Sequence, residues 1–399
     1  MAEYEDFQEI AHCGGRATFH IVCDANGNRS YSQGFQHDRP TPATMIGIYA
    51  LAPQGIPVSD FAMGGIGQGF EPQPQAGWFP VFLGSDSRQC WGHQCARCTG
   101  YFRNGRHPAV YPLTCPYCGL RTAAFRFLTP AQLAYVRHYI DTLLNAMEED
   151  VPPGTDREIV IDMDAIADSG ANKPKPDFYY TSETQQTRYN CDHCGEFNDI
   201  RGRFGYCASC GWRNNAQLLK ASFATLRERL NSGQDGPVET VKLAVSEFDA
   251  GCKDITAQIA KRVPMKPSRK SELQRVLFHD LESATISSMK SMFEIDLLRG
   301  VGAEVAFAKM MMHRRHVYTH NGGVADEKYV RESGDPDARE GVLIRETQVN
   351  VHRLIGVLIR IVENVDSDFH EIFQPTEWPM RNYQAWQARL QRSQKTANV

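Results

Sequence analysis

Four Cys-x-x-Cys pairs constrain this chain more than any other feature: Cys95/Cys98, Cys115/Cys118, Cys191/Cys194 and Cys207/Cys210. Two intervening residues let both sulfurs of a pair turn toward one ion, and two pairs complete a closed tetrahedral donor set. Sixteen residues separate the first two pairs and twelve the second two, room enough for a hairpin between two knuckles. Each quartet is therefore expected to form a zinc ribbon around one structural Zn2+, two ions in all. With every ligand position filled by cysteine, no coordination site remains open to water. Gly119, Gly195 and Gly211 follow three of the pairs, where a tight turn aims backbone amides at the thiolates. A disulfide framework is the rejected alternative, since it belongs to short chains in oxidising compartments. Cys13, Cys23, Cys90 and Cys252 are expected to be small buried hydrophobes. His93 and Cys90 are not needed as ligands beside complete quartets.

At 399 residues the chain is long enough for two to four units. Its formal net charge of −4 means that nucleic-acid binding would have to come from local basic patches. The acidic start "MAEYEDFQEI" lacks the pattern of a secretory signal. No apolar run of about 18 residues occurs, so a soluble, cytoplasmic protein with no membrane partner is expected.

The fold class expected is multidomain α+β. Residues 1–89 read as a β-rich domain: "ATFHIVCDANGNRSYSQGF" has a hairpin pattern around Asn26-Gly27, and "ATMIGIYAL" and "GWFPVFLG" offer further strands. The Gly/Pro-rich "MGGIGQGFEPQPQAGW" reads as a loop, because no helical pattern follows the glycines to make a phosphate cradle. His12, Cys13, His20 and Cys23 have ligand chemistry, but His20 and Cys23 sit in an apolar run and read as core. Residues 90–150 hold the first ribbon and a helix with Thr129 as N-cap and Pro130 at its first position. Leu133, Val136, Ile140, Leu143 and Met147 form the apolar face of that helix. Residues 151–188 read as a linker with one short strand, "EIVIDM", and 189–235 as the second ribbon with a helix. Residues 236–376 show four long helical patterns, 238–263, 271–298, 303–320 and 347–373, which suggest a bundle. The tail 377–399 is either a short amphipathic helix or loose.

The ribbons also carry arginines interleaved with aromatics: Tyr101, Phe102, Arg103 and Arg106 in the first, Arg201, Arg203, Phe204, Tyr206, Trp212 and Arg213 in the second. Such a set can hold single-stranded nucleic acid, with cations on phosphates and ring faces on bases. The competing expectation is that the rings fill the small ribbon cores.

The third helical pattern ends in "MMHRRHVYTHNGG". Arg315 and His320 are four residues apart, the polar His316 follows the arginine directly, and the segment lies in an all-helical domain. Here the sequence resembles the HEPN superfamily, whose ribonuclease members carry an arginine, a polar residue and, a few residues later, a histidine. The resemblance covers roughly the last 140 residues. It implies a helical bundle that forms a homodimer in which two motifs meet, with metal-independent endoribonuclease activity in RNA-targeting toxins or antiviral defence. Arg315, His316 and His320 match the three motif positions. The polar position is often asparagine in the family, so His316 is a departure. Arg314, five residues from His320, is an alternative for the arginine.

The chemistry stands on its own. An imidazole titrates near neutrality and serves as acid or base, and a guanidinium forks onto phosphate oxygens. Cleavage would leave a 2′,3′-cyclic phosphate and a 5′-hydroxyl. At about 100° per residue, His316 and His320 lie about 40° apart on a helix, but Arg315 and His320 about 140° apart. Both therefore reach one phosphate only if the helix breaks before His320 or if two chains share the site. A basic helix end favoured by the macrodipole, with Asp326 and Glu327 paired to the arginines, is the bland reading. A non-catalytic zinc-ribbon adaptor, binding RNA or protein and using the bundle only to dimerise, is the competing function. Residues 1–89 are then a candidate regulatory module for a protein trigger.

Overall fold

The computed structural model describes residues 15–37, 46–51, 59–62, 79–84, 90–105, 112–170, 173, 183–281 and 284–397. The chain divides into two compact units, Met1–Gly211 with Thr376–Val399, and Trp212–Pro375. His12, Cys13, Arg106 and the Gly/Pro-rich 63–78 segment lie outside the described residues.

In the first unit, β1 (Gly15–Cys23) pairs antiparallel with β2 (Arg29–His37). The turn forms because Gly27 takes φ +82° and the Asp24 carboxylate accepts the Asn26 and Asn28 amides at 2.8 Å each. Strands β3 (Ile46–Leu51), β4 (Ser59–Ala62) and β5 (Phe79–Gly84) make a separate sheet with β3 central. Strands β6 (Trp91–Gln94) and β7 (Tyr101–Asn104) frame the first knuckle, and the short β8 (Leu113–Thr114) and β9 (Arg121–Thr122) frame the next.

Helix α1 (Pro130–Glu148) begins as expected, with a capping box between Thr129 and Gln132. Its buried face includes Tyr135, Val136, Tyr139, Ile140 and Leu143, which pack with Ala17, Phe19, Ile21 and Cys23 of β1 in one core. The 151–188 segment, expected as a linker, supplies β10 (Asp156–Asp162), which pairs along β1 from Arg16 to Val22. A short α2 (Met163–Ala167) follows it. Strands β11 (Gln186–Asn190) and β12 (Phe197–Arg201) belong to the second ribbon. They join β7 and β6 in one sheet of order β11-β12-β7-β6, so the two ribbons are halves of one structure.

The second unit is helical: α3 (Asn215–Asn231), α4 (Pro237–Arg262), α5 (Pro267–Gln274), α6 (Ala284–Phe293), α7 (Glu304–His320), α8 (Glu327–Glu332) and α9 (Gln348–Ile372). Helix α3, grouped with the second ribbon in the sequence reading, packs here against α4 and α9. The single helix expected over 271–298 splits into parts of α5 and α6. Between them the chain turns so that Val276, Phe278 and Leu281 are buried, and the Phe278 amide donates to Asp249 Oδ1 at 3.1 Å. That tertiary bond and burial outweigh local helix propensity. The tail forms α10 (Glu377–Ala397), part of the first unit. No helix among the described residues is long and apolar enough to cross a membrane.

Candidate functional site

Both cysteine quartets close into clusters whose sulfurs lie within 4.8 Å of one another. Cys95–Cys118 and Cys98–Cys115 are 3.7 and 3.6 Å apart, and Cys191–Cys210 and Cys194–Cys207 are 3.7 and 3.5 Å apart. Four sulfurs at about 2.3 Å from a tetrahedral ion have edges of about 3.8 Å. The spacing fits such an ion and excludes disulfides, whose S–S length is about 2.05 Å.

The knuckle geometry follows from the backbone. Gly119, Gly195 and Gly211 take φ of +67°, +69° and +80°, and each amide returns to the carbonyl of the pair's first cysteine at 2.8–3.0 Å. The fourth knuckle places Thr99 in the same conformation at φ +57°, with its amide 2.8 Å from the Cys95 carbonyl. Asn198 Nδ2 donates to Cys207 Sγ at 3.5 Å. His93 is not a ligand. Its Nε2 lies 3.0 Å from Asn104 Oδ1, and burial lowers its pKa to about 4.

Most of the arginine/aromatic set has gone inward. Tyr101, Phe102 and Tyr206 are buried. Arg103 is buried too, paired with Asp199 at 2.6 Å across the β7–β12 seam. In the helical unit, Trp212 stacks on His370 with ring centroids 3.9 Å apart, and the buried Arg213 pairs with Asp254. Among the described residues, what remains of the set at a ribbon surface is exposed Arg201 and Arg203 with half-buried Phe204, over which Arg203 lies at 4.9 Å. Among the described residues, the expectation of two nucleic-acid tips thus shrinks to one turn.

Helix α7 sorts its two arginines. Arg314 donates to Asp335 Oδ2 at 2.8 Å, to both Glu346 oxygens at 3.2 and 3.3 Å, and to Tyr329 Oη at 3.2 Å. Burial opposes its charge, but Asp335, Tyr329 and Glu346 hold its pKa above the ordinary arginine value. Glu346 also accepts from Tyr318 Oη and Asn350 Nδ2. Arg314 is thus a fixed brace. Arg315 makes no ion pair among the described residues, and its Nε is buried with no hydrogen-bond acceptor. Asp326 and Glu327 do not pair with either arginine: Asp326 caps α8 through the Tyr329 amide, and Glu327 pairs with Arg331 at 3.7 Å.

His316 and His320 stand on one face with ring centroids 4.7 Å apart. The expected break before His320 does not occur. Helix α7 runs unbroken through His320, and only then do Gly322 and Gly323 turn the chain at φ +58° and +88°. The Gly323 amide returns to the Val317 carbonyl at 3.2 Å, so the stop lies one residue beyond the histidine. On an unbroken helix Arg315 and His320 diverge by about 140°, and one chain does not aim both at one phosphate.

His313 and His316, by contrast, line a cleft of about 640 Å³ together with Lys309 on α7 and Lys328 on α8. Nothing in the sequence reading singled out this cleft, because its walls come from α7, α8 and the 275–281 turn. Burial lowers the pKa of His313, with Lys309 and Lys328 adding to it. Burial also lowers that of His316, followed by His320 and Lys328.

No protein-family profile matches this sequence, and no curated protein or solved structure is significantly similar to it.

Proposed function

We propose that this protein is a metal-independent endoribonuclease of the HEPN type, acting as a homodimer, with the two cysteine quartets each holding a structural Zn2+. One observation carries the reading. Of two adjacent arginines, Arg314 is fully engaged in a buried network, while Arg315, His316 and His320, at the end of the same helix, form no ion pair among the described residues. A cation and two imidazoles at one helix end are the groups that phosphoryl transfer without a metal requires once they are brought to one phosphate.

The divergence of Arg315 and His320 favours a composite site, in which one protomer's Arg315 serves the other's His320. Exposed apolar residues beside the helix end support this. Val324, Val342 and Leu343 are 39–53% exposed, and Val324 and Leu343 meet in a β-bridge directly after the Gly-Gly turn. An apolar surface so close to the motif suits a second copy of the same chain.

In the reaction, the 2′-oxygen attacks the adjacent phosphorus and the bond to the 5′-oxygen breaks. One imidazole removes the 2′-hydroxyl proton, a second, protonated imidazole supplies a proton to the leaving oxygen, and Arg315 offsets the added charge on the phosphorane. The zinc ions take no part in these steps; they hold the ribbon backbone. The exposed 201–204 turn is a candidate contact for the RNA strand.

Incubating the protein with unstructured RNA in metal-free buffer tests the proposal. Cleavage with 2′,3′-cyclic phosphate ends, abolished by His320→Ala in a variant with an unchanged melting curve, is the expected result. Equal activity in that variant contradicts it.

A further inference from the structure

The cleft beside α7 shares His316 with the chemistry above, but the rest of its lining has no role there. Its volume of about 640 Å³ lies within the range of roughly 300–1,000 Å³ that small-ligand sites span. Its lining divides by chemistry. Leu277, Leu281, Met312, Val317 and the ring of Tyr329 offer apolar surface, while His313, His316, Lys309 and Lys328 offer donors and positive charge.

The acidic residues of the lining are mostly committed elsewhere. Asp326 accepts from the Tyr329 amide and from Asn321. Glu332 accepts from Arg331 at 2.8 Å. His279 is drawn to Asp249, 3.3 Å away. The Asp280 carboxylate, also in the lining, makes no side-chain hydrogen bond among the described residues, and a carboxylate there suits ribose hydroxyls. The Arg314 network builds the wall: Tyr329 Oη is tied to both Arg314 and Asp335, which fixes α8 against α7.

We infer that this cleft receives one nucleotide of the RNA chain next to the scissile bond, with His313, His316 and Lys328 holding its phosphate and the apolar lining taking its base. The inference rests on the ribonuclease reading for its substrate class, but a mononucleotide should bind the cleft whether or not the chain cleaves RNA. His316 connects the two regions, because it lines the cleft and also stands 4.7 Å from His320. Lys309, Lys328, Glu332 and Asp280 surround His313, and His320, Lys328, Asp326 and Arg315 surround His316. A bound phosphate should raise the proton affinity of both imidazoles, opposing the lysines that lower it.

The test is titration of the full-length wild-type chain with adenosine and uridine 3′-monophosphate, followed by calorimetry and by histidine ring resonances. The expected result is saturable binding that moves the His313 and His316 titrations to higher pH. A His313→Gln/Lys328→Gln variant should bind at least tenfold more weakly, with zinc content and melting temperature unchanged. No nucleotide binding, binding untouched by the double variant, or inorganic phosphate bound as tightly as either nucleotide overturns the inference. Nucleotide binding without RNA cleavage would overturn the ribonuclease reading alone. Cleavage without nucleotide binding would overturn the cleft alone.

Discussion

The two units bury charge to different ends. In the ribbon unit, the Arg103–Asp199 pair sits at a seam between hairpins whose backbones are already held by the cysteine knuckles. In the helical unit, Arg314 with Asp335 and Glu346 is itself the scaffold, joining α7, the 333–346 segment and the start of α9 without any knuckle to help. Where a metal site organises the chain, a buried ion pair refines the alignment. Where none does, the ion pair becomes structural, and the arginine involved is held in the scaffold.

The largest effect should come from the ribbons. Cys207→Ser removes one of four thiolates from a site type whose zinc affinity is on the order of 10–16 kcal/mol. Zinc per chain is expected to fall from two to one, with loss of the ribbon unit's cooperative melt. Retention of two ions and the same melt would break the contrast between the units. Next, Arg314→Ala leaves two buried carboxylates uncompensated, at a cost of about 3–5 kcal/mol. Arg315→Ala should change stability by less than about 0.5 kcal/mol. Urea denaturation of the two variants checks that difference, and equal losses would show that the arginines are not sorted.

Those two effects also mark what could be read in the sequence. The knuckles depend on contacts within four residues, so Cys-x-x-Cys and the following glycine display them openly, and Thr129, Asn26-Gly27 and the α7 and α9 patterns are local in the same way. The Arg314 network was hidden because Asp335 and Glu346 lie 21 and 32 residues away, in a segment with no regular pattern. The split of the 271–298 helix was hidden for a similar reason, since the Asp249 carboxylate that holds the Phe278 amide comes from α4. The joining of both ribbons into one sheet depended on the β7–β12 pairing, for which a hairpin pattern carries no sign.

A smaller effect separates the units by pH. Burial raises the Asp366 pKa to about 7 in the helical unit. A carboxyl whose folded value lies above its unfolded value of about 3.9 favours the fold most at low pH, and stability should fall as pH rises from about 4 to 7. Asp366→Asn should remove that slope and raise stability at pH 8. Melting temperatures of both proteins across this range decide it, and parallel curves would contradict the assignment. The smallest effect is again in the ribbons. Thr99→Gly should relieve a left-handed β-branched residue and stabilise the first knuckle by up to about 1 kcal/mol. A lower melting temperature would show that the Thr99 hydroxyl bond to the Cys98 carbonyl matters more.

The proposed composite site requires Arg315 and His320 to act together only across two chains. Arg315→Ala and His320→Ala should each be inactive on RNA when purified alone. After subunit exchange of equal amounts, half of the dimers are mixed and each holds one intact composite site, so roughly a quarter of wild-type activity should return. A mixture as inactive as its components would contradict a site shared in this way.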